Sequence, residues 1–120
     1  MVRALLLAAL LALGVPPAAA GEDPLPARVN RAIDRGAANL VSRQAADGSW
    51  QKEDKVHPLG RTALCAFTLL HAGRPAEDPS IRRAMESLGI PAGYGGRVAP
   101  RSTYEASCLV LLLNALGKGY

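Results

Sequence analysis

Apolar residues recur along this chain in two alternating patterns, and each pattern predicts a different kind of helix. Residues 27–44 and 79–88 carry apolar side chains at steps of three and four, with arginines and other polar residues between them. That spacing is typical of an amphipathic helix with one buried stripe, which in the first helix comprises Val29, Ile33, Gly36/Ala37, Leu40 and Val41. Residues 58–72 and 102–116 are apolar around nearly the whole helical circumference. Such helices are predicted to be buried on every side.

Turn and capping residues separate the four predicted helices. Asp47-Gly48 predicts a tight turn after the first helix, because glycine tolerates positive φ and aspartate bonds to nearby backbone. Gly73 and Gly89 are placed to end the second and third helices. Asp78-Pro79 predicts the start of the third helix. Residues 102–105, Ser-Thr-Tyr-Glu, form a predicted capping box at the start of the fourth.

The helices repeat in the order amphipathic, buried, amphipathic, buried. Residues 32–40 align with residues 80–88 (offset 48), and residues 62–65 align with residues 105–108 (offset 43). Repeats of roughly 40 to 50 residues are typical of stacked two-helix units. The pattern predicts an all-α fold of two helical hairpins, residues 27–73 and 78–117, each with an outer amphipathic and an inner apolar helix. A four-helix bundle is the alternative, although it favours four similarly amphipathic helices.

The first twenty residues have the form of an export signal. Arg3 precedes an apolar run over residues 4–13, and three alanines at 18–20 form a small-residue cleavage site before Gly21. The run is shorter than the roughly 20 apolar residues that span a bilayer. We therefore predict an exported protein, with a retained membrane anchor as the alternative. Residues 21–26 are predicted to be a proline-rich leader.

Charge and cysteine content narrow the classes of function. The formal net charge is +4, and the arginines are scattered rather than clustered with aromatic residues, so nucleic-acid binding is not predicted. Cys65 and Cys108 occupy equivalent positions on the two inner helices. Equivalent residues point in parallel directions on helices whose axes pack about 8 to 10 Å apart, whereas a disulfide needs Cα atoms within about 7 Å. Both thiols are predicted to be free.

One stretch carries a family resemblance through Arg35, Gly36, Leu40, Gln44, Gly48 and Trp50. This spacing resembles the glutamine-tryptophan repeat of terpenoid cyclases and protein prenyltransferases, the prenyltransferase and squalene oxidase repeat, although Asn39 stands where the family usually has an aromatic residue. Residues 57–64 and 103–107 are similar to the uncharacterised exported branch of that superfamily. The resemblance covers residues 27–116 and implies an α/α toroid, in which inner and outer helices form two concentric rings.

Within this stretch, two side chains have predicted structural roles. Gln44 carries two donors and an acceptor, so it can bridge backbone groups at adjacent helix ends. Trp50 can cover the joint with a large apolar surface and anchor itself through one N–H.

The catalytic groups that the resemblance implies are missing from the matching positions. Cyclases of this superfamily place protonating aspartates just before a Thr-Ala, but Pro58, Gly60 and Arg61 precede Thr62 here. The prenyltransferases hold zinc with an aspartate two residues before a cysteine, whereas alanine precedes both cysteines at that distance. We therefore expect neither metal nor cofactor and favour a non-catalytic protein.

The remaining candidate site is the rim formed by the N-termini of the two inner helices. His57, Arg61, Tyr104 and Glu105 are predicted to lie there, where free amides and the helix dipoles favour an anionic ligand. The alternative is that Arg61 and Glu105 pair across adjacent helices.

Two hairpins make only a partial toroid, assigned to residues 27–120. Further repeats of the same protein or another subunit are therefore predicted to cover the fourth helix. The expected function is an exported repeat module that binds a partner or ligand. The alternative is a fragment of an isoprenoid cyclase or transferase whose catalytic residues lie outside this chain.

Overall fold

The computed structural model describes residues 21–50, 57–90 and 99–117, and over these ranges the chain forms four α-helices and no strand. Helix α1 spans Leu25–Ser42, α2 Pro58–His71, α3 Pro79–Ser87 and α4 Thr103–Gly117. The predicted all-α class is confirmed. The predicted export signal and most of the two predicted loops, at residues 51–56 and 91–98, lie outside the described residues. Within them, no helix is both long and apolar enough to cross a membrane.

Helix α1 begins earlier than the sequence pattern predicts. Pro24 is the N-cap residue, so the helix includes Leu25 and Pro26, which the pattern had placed in the leader. Proline is tolerated in the first helical turn because its missing N–H would have no helical partner there. The helix also ends two residues before Gln44, which leaves that side chain free to reach across the following turn.

The predicted ends of α2 and α3 are confirmed. Gly73 and Gly89 adopt φ angles of 91° and 72°, the left-handed conformation that terminates a helix at low cost when the residue is glycine. Helix α3 starts at Asp78, whose Oδ1 accepts a hydrogen bond of 2.8 Å from the backbone N–H of Ser80. The other carboxylate oxygen of Asp78 accepts from Arg74 at 2.9 Å.

These contacts predict a pH-dependent contribution of Asp78 to stability. Partial burial alone would raise the pKa of the Asp78 carboxyl, but the hydrogen bond from Arg74, the backbone hydrogen bonds and the charge of Arg74 outweigh it and lower the pKa. The stability that comes from the ionised form is complete above pH of about 4 and is lost as the pH falls through the lowered native pKa. Replacing Asp78 with Ala should lower the free energy of unfolding by about 1 kcal/mol at pH 7.

Urea unfolding at pH 7 and pH 2.5 checks this prediction. The difference between the wild type and Asp78→Ala should shrink at the lower pH, and Glu77→Ala, which removes an exposed neighbouring carboxylate, should match the wild type at both. A difference that does not depend on pH would show that ionised Asp78 is not what stabilises the helix.

The core is organised around α2. This helix packs most extensively against α4, and α1 and α3 also pack on it. Helix α3 packs on α2 more than on α4, so α3 and α4 are both attached to α2. Fully buried side chains mark these contacts and include Ala63, Ala66, Leu69, Leu70, Ile81, Ala84 and Leu112.

The prediction that α2 and α4 are buried on every side is wrong. Leu64 on α2 is 38% exposed, and Val110 and Leu111 on α4 are 65% and 43% exposed. Each helix buries the side that faces its neighbours and leaves the rest uncovered in the described part of the chain. An all-round apolar sequence therefore overstates the packing that these four helices provide.

The predicted apolar stripe of α1 is also only partly buried. Ala37 is buried, and Leu40 and Val41 pack partly against the core. Val29 and Ile33 remain 46% and 44% exposed, because the first half of α1 extends past the contacts that α2 provides. The amphipathic pattern therefore identifies the helix correctly, but not how much of its apolar face the fold covers.

Candidate functional site

A polar joint connects the two helix pairs, and Gln44 lies at its centre. Its side-chain Nε2 donates to the carbonyl oxygen of Gly48 at 2.9 Å and to that of Ser80 at 2.8 Å. Its Oε1 accepts from the guanidinium of Arg83 at 3.0 Å. One amide side chain thus contacts the turn after α1 and two residues of α3. The predicted bridging role of Gln44 agrees with these contacts, although the Ser80 carbonyl lies in the first turn of α3, where the free backbone groups are N–H.

Trp50 anchors the end of the same turn. Its indole Nε1 donates at 2.7 Å to the carbonyl oxygen of Leu40, in the last turn of α1, and this oxygen also accepts from the N–H of Arg43 at 3.1 Å. Its backbone N–H donates to the hydroxyl of Thr62 at 3.1 Å. Only 4% of the Trp50 side chain is exposed. The tryptophan therefore ties α1, the turn and α2 together.

Gly48 allows the turn to approach α3 closely. Its φ is +86°, and a Cβ at this position would lie 2.2 Å from the carbonyl oxygen of Arg83. Backbone atoms cannot move aside as a flexible side chain can, so a larger residue would push α3 away. Within the turn, Asp47 Oδ1 accepts from the N–H and the hydroxyl of Ser49, at 3.0 and 2.7 Å. Asp47-Gly48 therefore forms the predicted turn.

The other residues of the family-like stretch lie at the edge of this joint. Leu40 contributes its carbonyl oxygen and packs partly against the core. Arg35 and Gly36 lie on the exposed side of α1, and a Cβ on Gly36 would meet no atom within 4 Å. Their role in the joint stays a prediction.

Sequence reasoning missed the contribution of Thr62 and Ser80. Both are buried polar residues, 1% and 3% exposed, and both supply oxygen acceptors to the joint. A single threonine on an otherwise apolar helix face was the available signal for Thr62. No signal identified Ser80, because its contact is made by the backbone carbonyl.

At the rim, a completely buried carboxylate links α2 to α4. Glu105 is 0% exposed, and its Oε1 accepts from the backbone N–H of Leu59 at 3.2 Å. Its Oε2 accepts from the backbone N–H of Arg101 at 2.7 Å. The Ser102 hydroxyl accepts from the N–H of Glu105 at 3.2 Å, as a capping box requires. The second bond of the predicted capping box would run from the Ser102 N–H to the Glu105 side chain. Here the Glu105 carboxylate accepts from the N–H groups of Arg101 and Leu59.

The same four predicted rim residues come together at one end of the molecule. His57, the N-cap residue of α2, lies with its Nδ1 3.2 Å from the Ser102 hydroxyl. Its ring packs edge-on against Tyr104 with the ring centroids 5.2 Å apart. Tyr104 passes so close to Gly60 that a Cβ there would lie 2.4 Å from the Tyr104 ring. Arg61, which follows Gly60 in α2, is half-buried.

The rim is therefore built largely of contacts between the two inner helices. Glu105 uses both carboxylate oxygens on backbone amides, and one of these amides belongs to the first turn of α2. Such amides are the groups that an anionic ligand would need. The residues predicted to bind a ligand thus hold α2 beside α4, and their binding role stays a prediction.

The two cysteines are free, as the equivalence of their positions predicts. Cys108 is buried and Cys65 is half-buried. Burial raises the pKa of the Cys65 thiol, and the positive charge of Arg61 only partly offsets that effect. Since the thiolate is the nucleophile, a raised pKa makes Cys65 a poor candidate for covalent catalysis.

Thiol titration tests this assignment. Two thiols per chain should react with a chromogenic disulfide after denaturation without reductant, and in the native protein Cys65 should react faster than Cys108. A Cys108→Ser variant assigns the fast phase. Recovery of no thiol in the denatured protein would contradict the structure.

No group of His, Cys, Asp or Glu within residues 21–50, 57–90 and 99–117 is arranged to hold a metal ion. His71 ends α2 and packs against Phe67, with ring centroids 4.3 Å apart, far along the helix from His57.

Comparison with known proteins adds no further assignment: no family model matches the chain, and no curated protein or solved structure is significantly similar to it. The terpenoid cyclase and prenyltransferase resemblance therefore rests on the residues described above.

Proposed function

We propose that this chain is an exported α/α-toroid repeat module that binds a partner or ligand and does not itself catalyse a reaction. The observation that carries the proposal is the joint at Gln44, where one side chain connects the first helix pair to α3. In the superfamily that the stretch resembles, glutamine and tryptophan join successive repeats. The contacts of Gln44 and Trp50 with neighbouring helices support such a role in this chain.

The arrangement of the inner helices supports a layered repeat over a four-helix bundle. Contacts between His57 and Ser102, and between Leu59 and Glu105, bring the N-termini of α2 and α4 to the same end of the molecule. Neighbours in an up-and-down bundle run in opposite directions instead. Helix α3 then packs on α2, as an outer helix does over an inner layer.

The non-catalytic assignment is supported by what the polar residues do. Glu105 is the carboxylate nearest the start of an inner helix, and its oxygens are bonded to two backbone amides inside the protein. An acid that protonates a substrate must reach it. Glu105 is completely buried and cannot do so without opening the contact between α2 and α4.

The second candidate is a fragment of an isoprenoid cyclase or transferase, favoured by the same glutamine-tryptophan stretch. The coding sequence adjoining this chain separates the two candidates. An aspartate-rich motif before a Thr-Ala, or an Asp-x-Cys with a downstream histidine, would support the enzyme. Adjoining repeats without such residues, assayed with squalene and with farnesyl diphosphate plus a cysteine peptide, should give no product.

Export has a separate test. The full chain is expressed in a bacterium with a general secretion system, and the N-terminus of the protein recovered outside the cytoplasm is sequenced. The proposal expects Gly21 as the first residue. An uncleaved protein that stays with the membrane fraction would support the membrane-anchored alternative, and an uncleaved protein in the cytosol would contradict export.

A further inference from the structure

The two helix pairs bury equivalent residues to very different extents. Four residues in and just after α3 are buried: Ser80, Ile81 and Ala84 within the helix and Leu88 at its C-cap. Their equivalents in α1, 48 positions earlier, are Ala32, Ile33, Gly36 and Leu40, of which the first three are exposed and the last half-buried. The difference has a structural cause. Helix α3 packs on α2, the inner helix of the preceding pair, whereas α1 has no preceding inner helix in the chain described.

In the inner helices the difference in burial is reversed: residues of the first inner helix, α2, are more buried than their equivalents on α4. Ala63 and Leu70 of α2 are buried, and Phe67 between them is half-buried. These residues recur on α4, 43 positions later, as Ala106, Val110 and Leu113. Ala106 and Leu113 are half-buried, and Val110 is 65% exposed. An apolar side of α2 that is largely buried is thus repeated on α4, where it is more exposed.

These observations define two surfaces. The back surface consists of Ala32, Ile33 and Gly36 on α1 with Cys65 on α2, and the front surface consists of Ala106, Val110 and Leu113 on α4. Within the chain, α3 and α4 both pack against α2, the helix that carries the equivalents of the front surface. Ile81 and Cys108, the equivalents of Ile33 and Cys65, are both buried. Among residues 21–50, 57–90 and 99–117, each half of the interface between the helix pairs therefore has a second, more exposed copy.

We propose that the protein associates head to tail with a second copy of itself, the front surface of one copy receiving the back surface of the next. In this complex α1 packs on α4 of the neighbour as α3 packs on α2 within the chain. The partner is a second copy because the back surface repeats residues that are buried within the chain. Ile33 corresponds to Ile81, and Cys65 corresponds to Cys108.

Most of the charge that flanks this contact is paired. On α1, Arg28 pairs with Glu22 at 3.0 Å and Arg31 with Asp23, whereas Arg35 is exposed and makes no ion pair among the described residues. The front surface itself contains no charged residue. Burial of apolar area is worth about 25 cal/mol per Å², and the long side chain of Arg35 can keep its guanidinium in water at the edge of the contact.

A head-to-tail contact joins different surfaces on the two copies, so the pair still has one free front on one copy and one free back on the other. Such assemblies grow into closed rings or open chains. A symmetric dimer instead buries the same surface on both copies. The proposal rests on the repetition of the helix pairs and is independent of any ligand-binding role.

Sedimentation velocity of the purified protein across a range of concentrations tests the proposal with two variants. Val110→Lys changes the front surface and Ile33→Lys the back surface, and each should weaken association by roughly a hundredfold, because binding would bury an unpaired charge. Leu64→Lys is the matched control, since Leu64 is 38% exposed but lies on neither surface. Far-UV circular dichroism verifies folding, and Val110→Asn replaces Val110→Lys if helicity is lost.

The decisive measurement is an equimolar mixture of the two lysine variants. Each retains one intact surface, so the mixture should form a dimer and no larger species, while each variant alone stays monomeric. A monomeric wild type, single variants that associate like the wild type, or a mixture that stays monomeric would each overturn the proposal. None of these outcomes bears on export or on the absence of catalysis.

Discussion

Replacing Trp50 with alanine should lower the free energy of unfolding by about 3–5 kcal/mol, the largest effect expected of any single substitution in this chain. The side chain is 4% exposed, so its removal leaves a cavity between α1, the turn and α2. It also removes the hydrogen bond from the indole to Leu40. A small domain has a total stability of about 5–15 kcal/mol, and the variant would therefore be close to unfolding at room temperature.

Trp50→Phe separates the two contributions. Phenylalanine keeps most of the apolar volume but lacks the N–H, so a loss of about 1–2 kcal/mol is expected. Unfolding is followed by circular dichroism, because Trp50 is the only tryptophan and its fluorescence is lost in both variants. A loss below 1 kcal/mol for Trp50→Ala would mean that the tryptophan does not hold α1 and α2 together.

The second large effect is expected at Glu105. Glu105→Ala leaves the backbone N–H groups of Leu59 and Arg101 without their acceptor inside the protein. A hydrogen bond to a charged group contributes about 1.5–3 kcal/mol, so the loss of both bonds should lower the free energy of unfolding by about 3 kcal/mol. Glu105→Gln should cost about 2 kcal/mol, because the amide keeps one oxygen and presents an N–H where an acceptor is needed.

Urea unfolding with Glu86→Gln as the control tests this account of Glu105. Glu86 is exposed on α3, and its substitution should change stability by less than 0.5 kcal/mol. A Glu105→Gln variant as stable as the wild type would show that the carboxylate is not engaged by both amides. In that case Glu105 would be available to bind a ligand at the rim.

Local sequence signals predicted the helices well, because the determining interactions are short-range. Asp78, Gly73 and Gly89 act within one helical turn, and the structure places each of them at a helix end. Pro26 misled the analysis of α1 because a proline is compatible both with an extended leader and with the first turn of a helix. Periodicity alone does not distinguish these two states.

Burial was predicted less well because it depends on neighbours that the local pattern does not specify. The pattern around Val110 is that of a buried helix, yet the described chain supplies no helix to cover it. The rim shows the same limit. The sequence places Glu105 at a helix start, but its bond to Leu59 depends on the distance between α2 and α4, which only the assembled fold determines.

The family resemblance predicted that Gln44 is a bridging side chain, but it did not predict which residues Gln44 contacts. A glutamine before a Gly-x-Trp turn indicates a bridging side chain, whereas Ser80 and Arg83 are more than thirty residues away in the sequence. Long-range backbone contacts of this type leave no mark on the local residue pattern.

Proton NMR of the Gln44 side-chain amide tests the central claim most directly, namely that this side chain joins the two helix pairs. The account predicts that the Nε2 protons exchange slowly with solvent and show nuclear Overhauser effects to the first turn of α3, around Ser80. Rapid exchange at the rate of a free glutamine, with no Overhauser effect to α3, would contradict it.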